Sequence, residues 1–458
     1  MSIDKRKYYS PLTHRYGSYE MKEIFSDDCR YKLWRYLWVE LADIEMELGI
    51  NITEKQLREM IMAANRSIDY SMVERFERDC RHDVMAHLKE FCHKCPTAEP
   101  IIHLGATSCY VTDNADIILM IDALKLIKDK ISSLIDELSK FCDKYKGTVT
   151  MAYTHLQPAQ PTTIGKRGCM WLQDIIIDRD VLNKIDLKIL GCNGATGTQA
   201  SFLELLGKDK ALELNKRLAK RLVGNEDGYM LISGQTYTRK IDAIVLDALS
   251  NIAQSLHKMC TDIRLLQGMH EICEPFGNKQ VGSSAMAYKQ NPIKCENICS
   301  LSRHIISNTI TAKMNVCTQW LERTLDDSAN RRIIIPETFI MVDHILNESI
   351  KIISGLVING GIIEKHMKNN IPFISMENII MNATKQGISR QEAHNRIRDL
   401  SVIATQNVLM GKDNNLLELI QADDLLGSVD IDIDLKKISG MAEEQVNIYL
   451  GRIVDENH

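Results

Sequence analysis

A chain of 458 residues, 45% apolar and 26% charged, is long enough for two or three structural units around a sizeable core. Its formal net charge of −5 argues against a general nucleic-acid binder, yet leaves room for a few local cations that would hold an anionic small molecule. Thirteen scattered cysteines make no disulfide framework, and neither a signal-like apolar segment nor a run of roughly 18 apolar residues occurs, so a cytoplasmic protein with reduced thiols and no membrane partner is expected.

The first 107 residues read as short helices. In residues 28–50, Leu33, Leu37, Leu41, Ile44 and Leu48 recur at helical spacing, with Asp27 or Asp28 as the expected cap and Gly49 as the stop. Two polar knots interrupt this region, "SPLTHRYGS" and "RHDVMAH". The second belongs to a stretch, 81–95, in which His82, Asp83, His87, Cys92, His93 and Cys95 suggest zinc. Its C-x-x-C lacks a second pair, however, and His82 and His87 are five apart, off the i,i+4 face that helical ligands use, so no metal is expected. Arg81, His82 and Asp83 read instead as an anion contact backed by an oriented imidazole.

After "GATSCYVTDN", where Thr107 and Ser108 precede a helix, apolar residues from Ile117 to Phe141 mark a helix of about 30 residues, about 45 Å long. Comparable patterns run through about 163–190, 236–273, 293–320 and 337–367. Five such helices describe a bundle, and helices of this length commonly continue into partner subunits. No strand pattern competes. Short helices return near the C-terminus, so the expected domains are 1–107, a central long-helix bundle at 108–363, and 364–458.

Between the long helices lie the segments able to carry chemistry. "MAYTHLQPAQPTT" (151–163), with two prolines close together, reads as irregular; its His155 stands beside Gln157 and Gln160, and imidazoles titrate where proton delivery to a leaving nitrogen needs them. "SGQTYTRK" (233–240) places Gln235 before a helix. "EPFGNKQVGSSAMAYKQN" (274–291) is too long for an ordinary connection. It is no phosphate loop, because Ser283 holds the lysine position and no strand precedes it, and with Met286 and Tyr288 it is no flexible linker. Pro292 then opens a helix whose N-terminal N–H groups are expected to be free beside Ser283, Ser284 and Lys289. Spacing alone leaves an anion-handling loop and a structural loop both open. "ERTLDDSANRR" (322–332) is either a solvated charged face or a fork of Arg323, Arg331 and Arg332 with Ser328 and Asn330 for a carboxylate or phosphate.

"GSSAMAYKQNP" (282–292) resembles the Gly-Ser-Ser-x-Met-Pro-x-Lys-x-Asn-Pro signature loop of the fumarase/aspartase superfamily. "YTHLQPAQPTT" and "HLGATSCYVTDN" resemble two further segments of it. "YYSPLTHRYGS", "RHDVMAH", "TGTQASF", "SGQTYTRK", "CTDIRLL" and "WLERTLDDSANRR" are similar to the eukaryotic-like form of its branch acting on succinylated purine nucleotides. The likeness runs from about residue 9 to 400.

It implies an all-α, three-domain fold whose central bundle assembles into a homotetrameric core with shared active sites. The implied activity is β-elimination of fumarate from adenylosuccinate and from succinylaminoimidazole-carboxamide ribotide, in purine biosynthesis, with no cofactor or metal. By resemblance, Ser283 is the base, His155 the acid, and His82 a second imidazole acting with Arg81 and Asp83. Lys289 and Asn291 hold the substrate carboxylates; Thr107, Ser108 and Gln235 position the succinyl and base groups, and Gln157 is a further substrate-binding residue. Arg15 and Tyr16 contact the nucleotide phosphate, and Arg323, Ser328 and Arg332 add anion contacts. The chain departs from the pattern at Ala287, where proline is usual, and at Asn297, where an arginine would be expected. A sister enzyme cleaving argininosuccinate, or a non-enzymatic protein on a lyase fold such as some lens proteins, are the alternative readings.

Overall fold

The computed structural model describes residues 6–277, 285–286, 288–431 and 434–456. The chain is all-α as expected, apart from two short two-stranded ribbons among the described residues. Its long helices are Ser108–Lys144, Ile164–Asn183, Lys240–Gly268, Ile293–Thr318 and Ser328–Ser354. The 37-residue Ser108–Lys144 helix buries Ile117, Leu124, Ile127, Ile131, Leu134 and Leu138 on one face. Each such side chain contributes about 1.5–3 kcal/mol relative to leaving it in water. The pattern expected at 337–367 is two helices, Ser328–Ser354 and Gly360–Ile374, broken by the short strand Val357–Ile358. No helix among the described residues is long and apolar enough to cross a membrane.

Helix Asp27–Glu47 is capped by Ser26, whose Oγ accepts from the Cys29 N–H at 3.2 Å. Asp27 and Asp28, expected as the cap, fall in the first turn, where carboxylates favour the helix dipole. This helix buries Trp34, Leu37, Trp38, Leu41 and Ile44, and the Trp38 ring stacks on Phe91.

The chain divides into two compact units, each discontinuous in sequence. Unit 1 comprises residues 1–132, 178–256 and 300–347, and unit 2 comprises 133–177, 257–299 and 348–458. The divisions fall inside the five long helices. Unit 2 contains a separate C-terminal core in which Ile379, Ile380, Ile397, Leu400, Leu416, Ile420 and Leu426 pack together.

The segment read as irregular at 151–163 is a β-hairpin. Strands Val149–Thr154 and Gln157–Thr163 pair antiparallel, Thr154 opposite Gln157, with a register irregularity between Met151 and Tyr153. Prolines 158 and 161 are tolerated because a two-stranded ribbon has only edge strands, on which a missing N–H need not break a ladder. The second ribbon pairs Ile272–Cys273 with Val357–Ile358.

Candidate functional site

In unit 1 the candidate residues form a chain of contacts around His82. Helix Tyr70–Cys80 ends on Arg81, a non-glycine residue at φ 51°, and His82 then caps the helix Asp83–Lys94. The His82 Nδ1 accepts from the Met85 N–H at 3.4 Å, which leaves the ring proton on Nε2, 3.4 Å from the Ser108 Oγ. Asp83 Oδ2 accepts from Arg332 Nη2 at 2.9 Å. His103, at φ 66°, accepts on Nδ1 from the Trp38 indole at 3.0 Å; burial, aided by the neighbouring His82, pushes it down to about 4. It is therefore neutral at physiological pH and adds no charge behind His82. His87 stacks on Tyr31 at 3.8 Å, and burial lowers it to about 4 as well. It is a packing residue. Cys92 and Cys95 are raised by burial to about 11 and about 12, and Cys95 donates to the Phe91 carbonyl, so both are protonated thiols.

Ser108 opens the Ser108–Lys144 helix, and the Thr107 carbonyl accepts from the Tyr110 N–H at 2.9 Å. Gln235 lies alongside: its Nε2 donates to the Ala195 carbonyl at 3.2 Å, its Oε1 accepts from the Cys109 thiol, and its N–H reaches the Glu322 carbonyl at 2.9 Å. Two glycines allow this approach. A Cβ on Gly197 would sit 1.9 Å from the Ser233 carbonyl oxygen, and one on Gly234 would sit 2.5 Å from that of Glu322.

Beneath these loops runs a buried ionic network that sequence reading missed. Asp113 accepts from Arg239 Nη1 at 3.0 Å and from the Tyr237 N–H at 3.0 Å. Arg239 Nε donates to Asp327 at 2.5 Å, and Asp327 accepts from Arg323 Nη1 at 3.2 Å. Arg331 pairs with Asp242 at 2.6 Å and with Asp116 at 3.0 Å, and Asp116 also pairs with Arg30. Four arginines are matched by four aspartates, which is how buried charges are normally accommodated. Two members of the fork expected at 322–332 are thus structural: Arg331 is 6% exposed and committed to Asp242, and Asn330 exchanges amide hydrogen bonds with Asn315. Arg323 and Ser328, where the next helix starts, border the loop, and Arg332 stays exposed.

Arg15 and Tyr16 lie elsewhere along the Ser328–Ser354 helix. The Tyr16 ring packs against His344 at 4.9 Å, twelve residues or about 18 Å along the axis from Arg332. Gly17, at φ 77°, fits against Ile340, while Ser18 donates to Asp343, which also pairs with Lys130. Arg15 remains exposed at this turn.

Unit 2 holds the other candidates. His155 and Leu156 are the two tip residues of the hairpin, at φ 53° and 61°, a turn that ordinarily prefers Asn-Gly. His155 is exposed, as is Gln157 opposite Thr154. Gln160 bonds Glu377 instead of His155. Lys289 is exposed, its N–H donating to the Met286 carbonyl, and the Asn291 carbonyl accepts from Ile293. Ser283, Ser284 and Ala287 lie outside the described residues.

The helix terminus expected to offer free N–H groups is already occupied. Glu274, 2% exposed, accepts from the Lys294 N–H at 3.1 Å and the Cys295 N–H at 3.0 Å. Its own N–H is held by Gln267, whose Nε2 also donates to the Gln290 carbonyl. A carboxylate at a helix start satisfies the orphan donors and the dipole together. The pairing spans about 20 residues of chain, so no local capping pattern announces it.

Residues 23–307 match a family model described as a lyase. The adenylosuccinate lyase of Schistosoma mansoni is 42% identical over 463 residues, covering 98% of this chain and 95% of that protein. That of Schizosaccharomyces pombe is 42% identical over 464 residues, covering 99% and 96%. A solved fumarate lyase from a Mesorhizobium species superposes with a TM-score of 0.82 at 22% identity, covering 97% of this chain and all of that one, a likeness of fold alone. With relatives this similar across almost the whole sequence, and the fold in agreement, the chain belongs to the adenylosuccinate lyase family.

Proposed function

We propose that the chain is a carbon–nitrogen lyase of purine nucleotide biosynthesis. It would release fumarate from adenylosuccinate, giving AMP, and from succinylaminoimidazole-carboxamide ribotide, giving aminoimidazole-carboxamide ribotide. The observation that carries this reading is the 42% identity to adenylosuccinate lyases over almost the full length. The His82 imidazole beside the Ser108 hydroxyl, with Arg332 on the adjacent Asp83, supports it, since together they offer hydroxyl, imidazole and guanidinium groups to an anionic nucleotide.

Removing a proton beside a carboxylate builds a doubly negative aci-carboxylate, and a serine hydroxyl is too weak a base for this unless its alkoxide is stabilised. Ser283 takes that role, with Lys289 and Asn291 on the substrate carboxylates. Because Glu274 occupies the helix N–H groups at Lys294 and Cys295, the stabilising charge falls to Lys289 and the loop's own N–H groups. His155 protonates the departing nitrogen. His82, with Arg81 and Asp83, orients the anion; Thr107, Ser108 and Gln235 position the succinyl and base groups, and Gln157 is a further substrate-binding residue. Arg15 and Tyr16 take the nucleotide phosphate, and Arg323, Ser328 and Arg332 supply further anion contacts.

The proposal includes a cytoplasmic homotetramer with active sites shared among subunits. Apolar side chains left exposed on the long helices, among them Met170, Ile177, Ile244, Ile310, Met314 and Ile333, favour such association. The test is fumarate release from both purine substrates and from argininosuccinate, together with Ser283→Ala. Release from the purine substrates and loss of turnover with retained binding are expected. A Ser283→Ala rate within tenfold of wild type, or release from argininosuccinate alone, would refute the reading, and an active monomer in sedimentation would refute the tetramer.

A further inference from the structure

Glu271 is fully buried and stands outside the residues assigned to the proposed reaction. Its Oε1 accepts a 2.6 Å hydrogen bond from the Tyr153 hydroxyl and lies 2.8 Å from Nδ1 of His366, on the helix Gly360–Ile374. Tyr153 is two residues before His155 and immediately follows the register irregularity in the hairpin. On the other side of that irregularity, Arg167 Nη2 donates to the Met151 carbonyl at 2.6 Å. The hairpin is therefore pinned on both flanks of its bulge, a feature that re-aims the strand beyond it.

The pin is itself anchored. The Asn359 N–H donates to the Glu271 carbonyl at 2.9 Å, the Asn359 Nδ2 reaches the His270 carbonyl at 2.8 Å, and Ile272–Cys273 pairs with Val357–Ile358. Beyond Tyr153 the tip is exposed, and both central residues hold positive φ without being glycine. Such a conformation persists only where the surroundings enforce it, and it is concentrated at functional sites. The titratable groups facing Glu271 are Tyr153, Arg167 and His366. Burial lowers the Arg167 guanidinium, and the neighbouring Glu271 opposes that.

We propose that Glu271 is a positioning residue for the proton donor: through the Tyr153 hydroxyl it holds the hairpin tip so that the His155 imidazole meets the leaving nitrogen. The inference rests on the reading of His155 as the acid. It assigns Glu271 no contact with substrate. Its effect is geometric, and a misplacement of about 1 Å can cost on the order of 100-fold in rate.

Tyr153→Phe removes the hydrogen bond and keeps the ring, so it tests the link without opening a cavity; Glu271→Gln tests the charge, and His155→Ala is run beside them. Each full-length variant is checked by circular dichroism and thermal melting, and kcat and KM are measured with adenylosuccinate. The expected result is a fall in kcat of tenfold or more in Tyr153→Phe, with KM within threefold of wild type and a fold like that of wild type. Glu271→Gln is expected to fall at least as far. A smaller loss of kcat in Tyr153→Phe, or a larger change in KM, overturns the positioning role while a severe His155→Ala loss leaves the acid assignment standing. Undiminished turnover in His155→Ala would overturn the acid assignment and the inference together.

Discussion

Glu45 sits on the Asp27–Glu47 helix with no exposed surface, and neither of its carboxylate oxygens has a hydrogen-bond partner among the described residues. Burial lifts its pKa from the ordinary 4.5 to about 8. The folded chain therefore keeps Glu45 protonated at neutral pH, whereas the unfolded chain ionises it. Between these two values the native state binds more protons than the unfolded state, so stability falls as pH rises through the window and levels off above it. The window is roughly 3.5 pH units wide, on the order of 5 kcal/mol in all at about 1.4 kcal/mol per unit. Glu45→Gln keeps the shape and cannot ionise. Denaturation midpoints of wild type and variant, taken at one protein concentration from pH 5 to 9, cancel the other titrations in their difference. The variant should gain on wild type by about 1.4 kcal/mol per pH unit up to about pH 8, and the curves should then run parallel. Curves parallel from pH 5 upward would refute the reasoning.

The buried network makes Asp327 a second target. Asp327→Ala takes from the buried Arg239 one of its two carboxylate partners, leaving Asp113, and removes the carboxylate that Arg323 bonds, an expected loss of about 3 kcal/mol by chemical denaturation, and a loss under about 1 kcal/mol would contradict the role given to the network. At the turn carrying Arg15 and Tyr16, Gly17→Ala would place a Cβ 2.6 Å from Ile340 Cγ2 at φ 77°. It should cost more than about 1 kcal/mol and raise KM for the nucleotide; an unchanged melting temperature would show that the turn is not under this constraint.

Much of the fold was legible because a long amphipathic helix repeats its apolar residues many times. Ile117, Ile127, Ile131 and Leu138 recur at helical spacing and all are buried. Candidate site segments stood out in the sequence for a different reason: His82, His155, Ser108, Gln235 and Lys289 stand in runs that helical packing does not explain. The hairpin at 149–163 was not legible, since Gln-Pro-Ala-Gln-Pro carries no apolar alternation and its prolines read as breakers. Arg331 and Arg332 illustrate a finer limit. The two are adjacent and chemically identical, yet one is buried against Asp242 and the other is exposed beside Asp83, a difference set by which way each points from the helix.

The sequence by itself determined the helical class, the presence of the long helices and the family, because these depend on periodicity and on ordered local motifs. Only the tertiary structure decided which polar residues are committed to buried partners and which of the candidates are exposed. Glu274 on the helix start at Lys294, Asp327 on Arg239, and Glu271 under Tyr153 are pairings across 20 to about 120 residues of chain. A buried charge must find its partner wherever the folded chain brings one, and that requirement leaves no mark in local spacing.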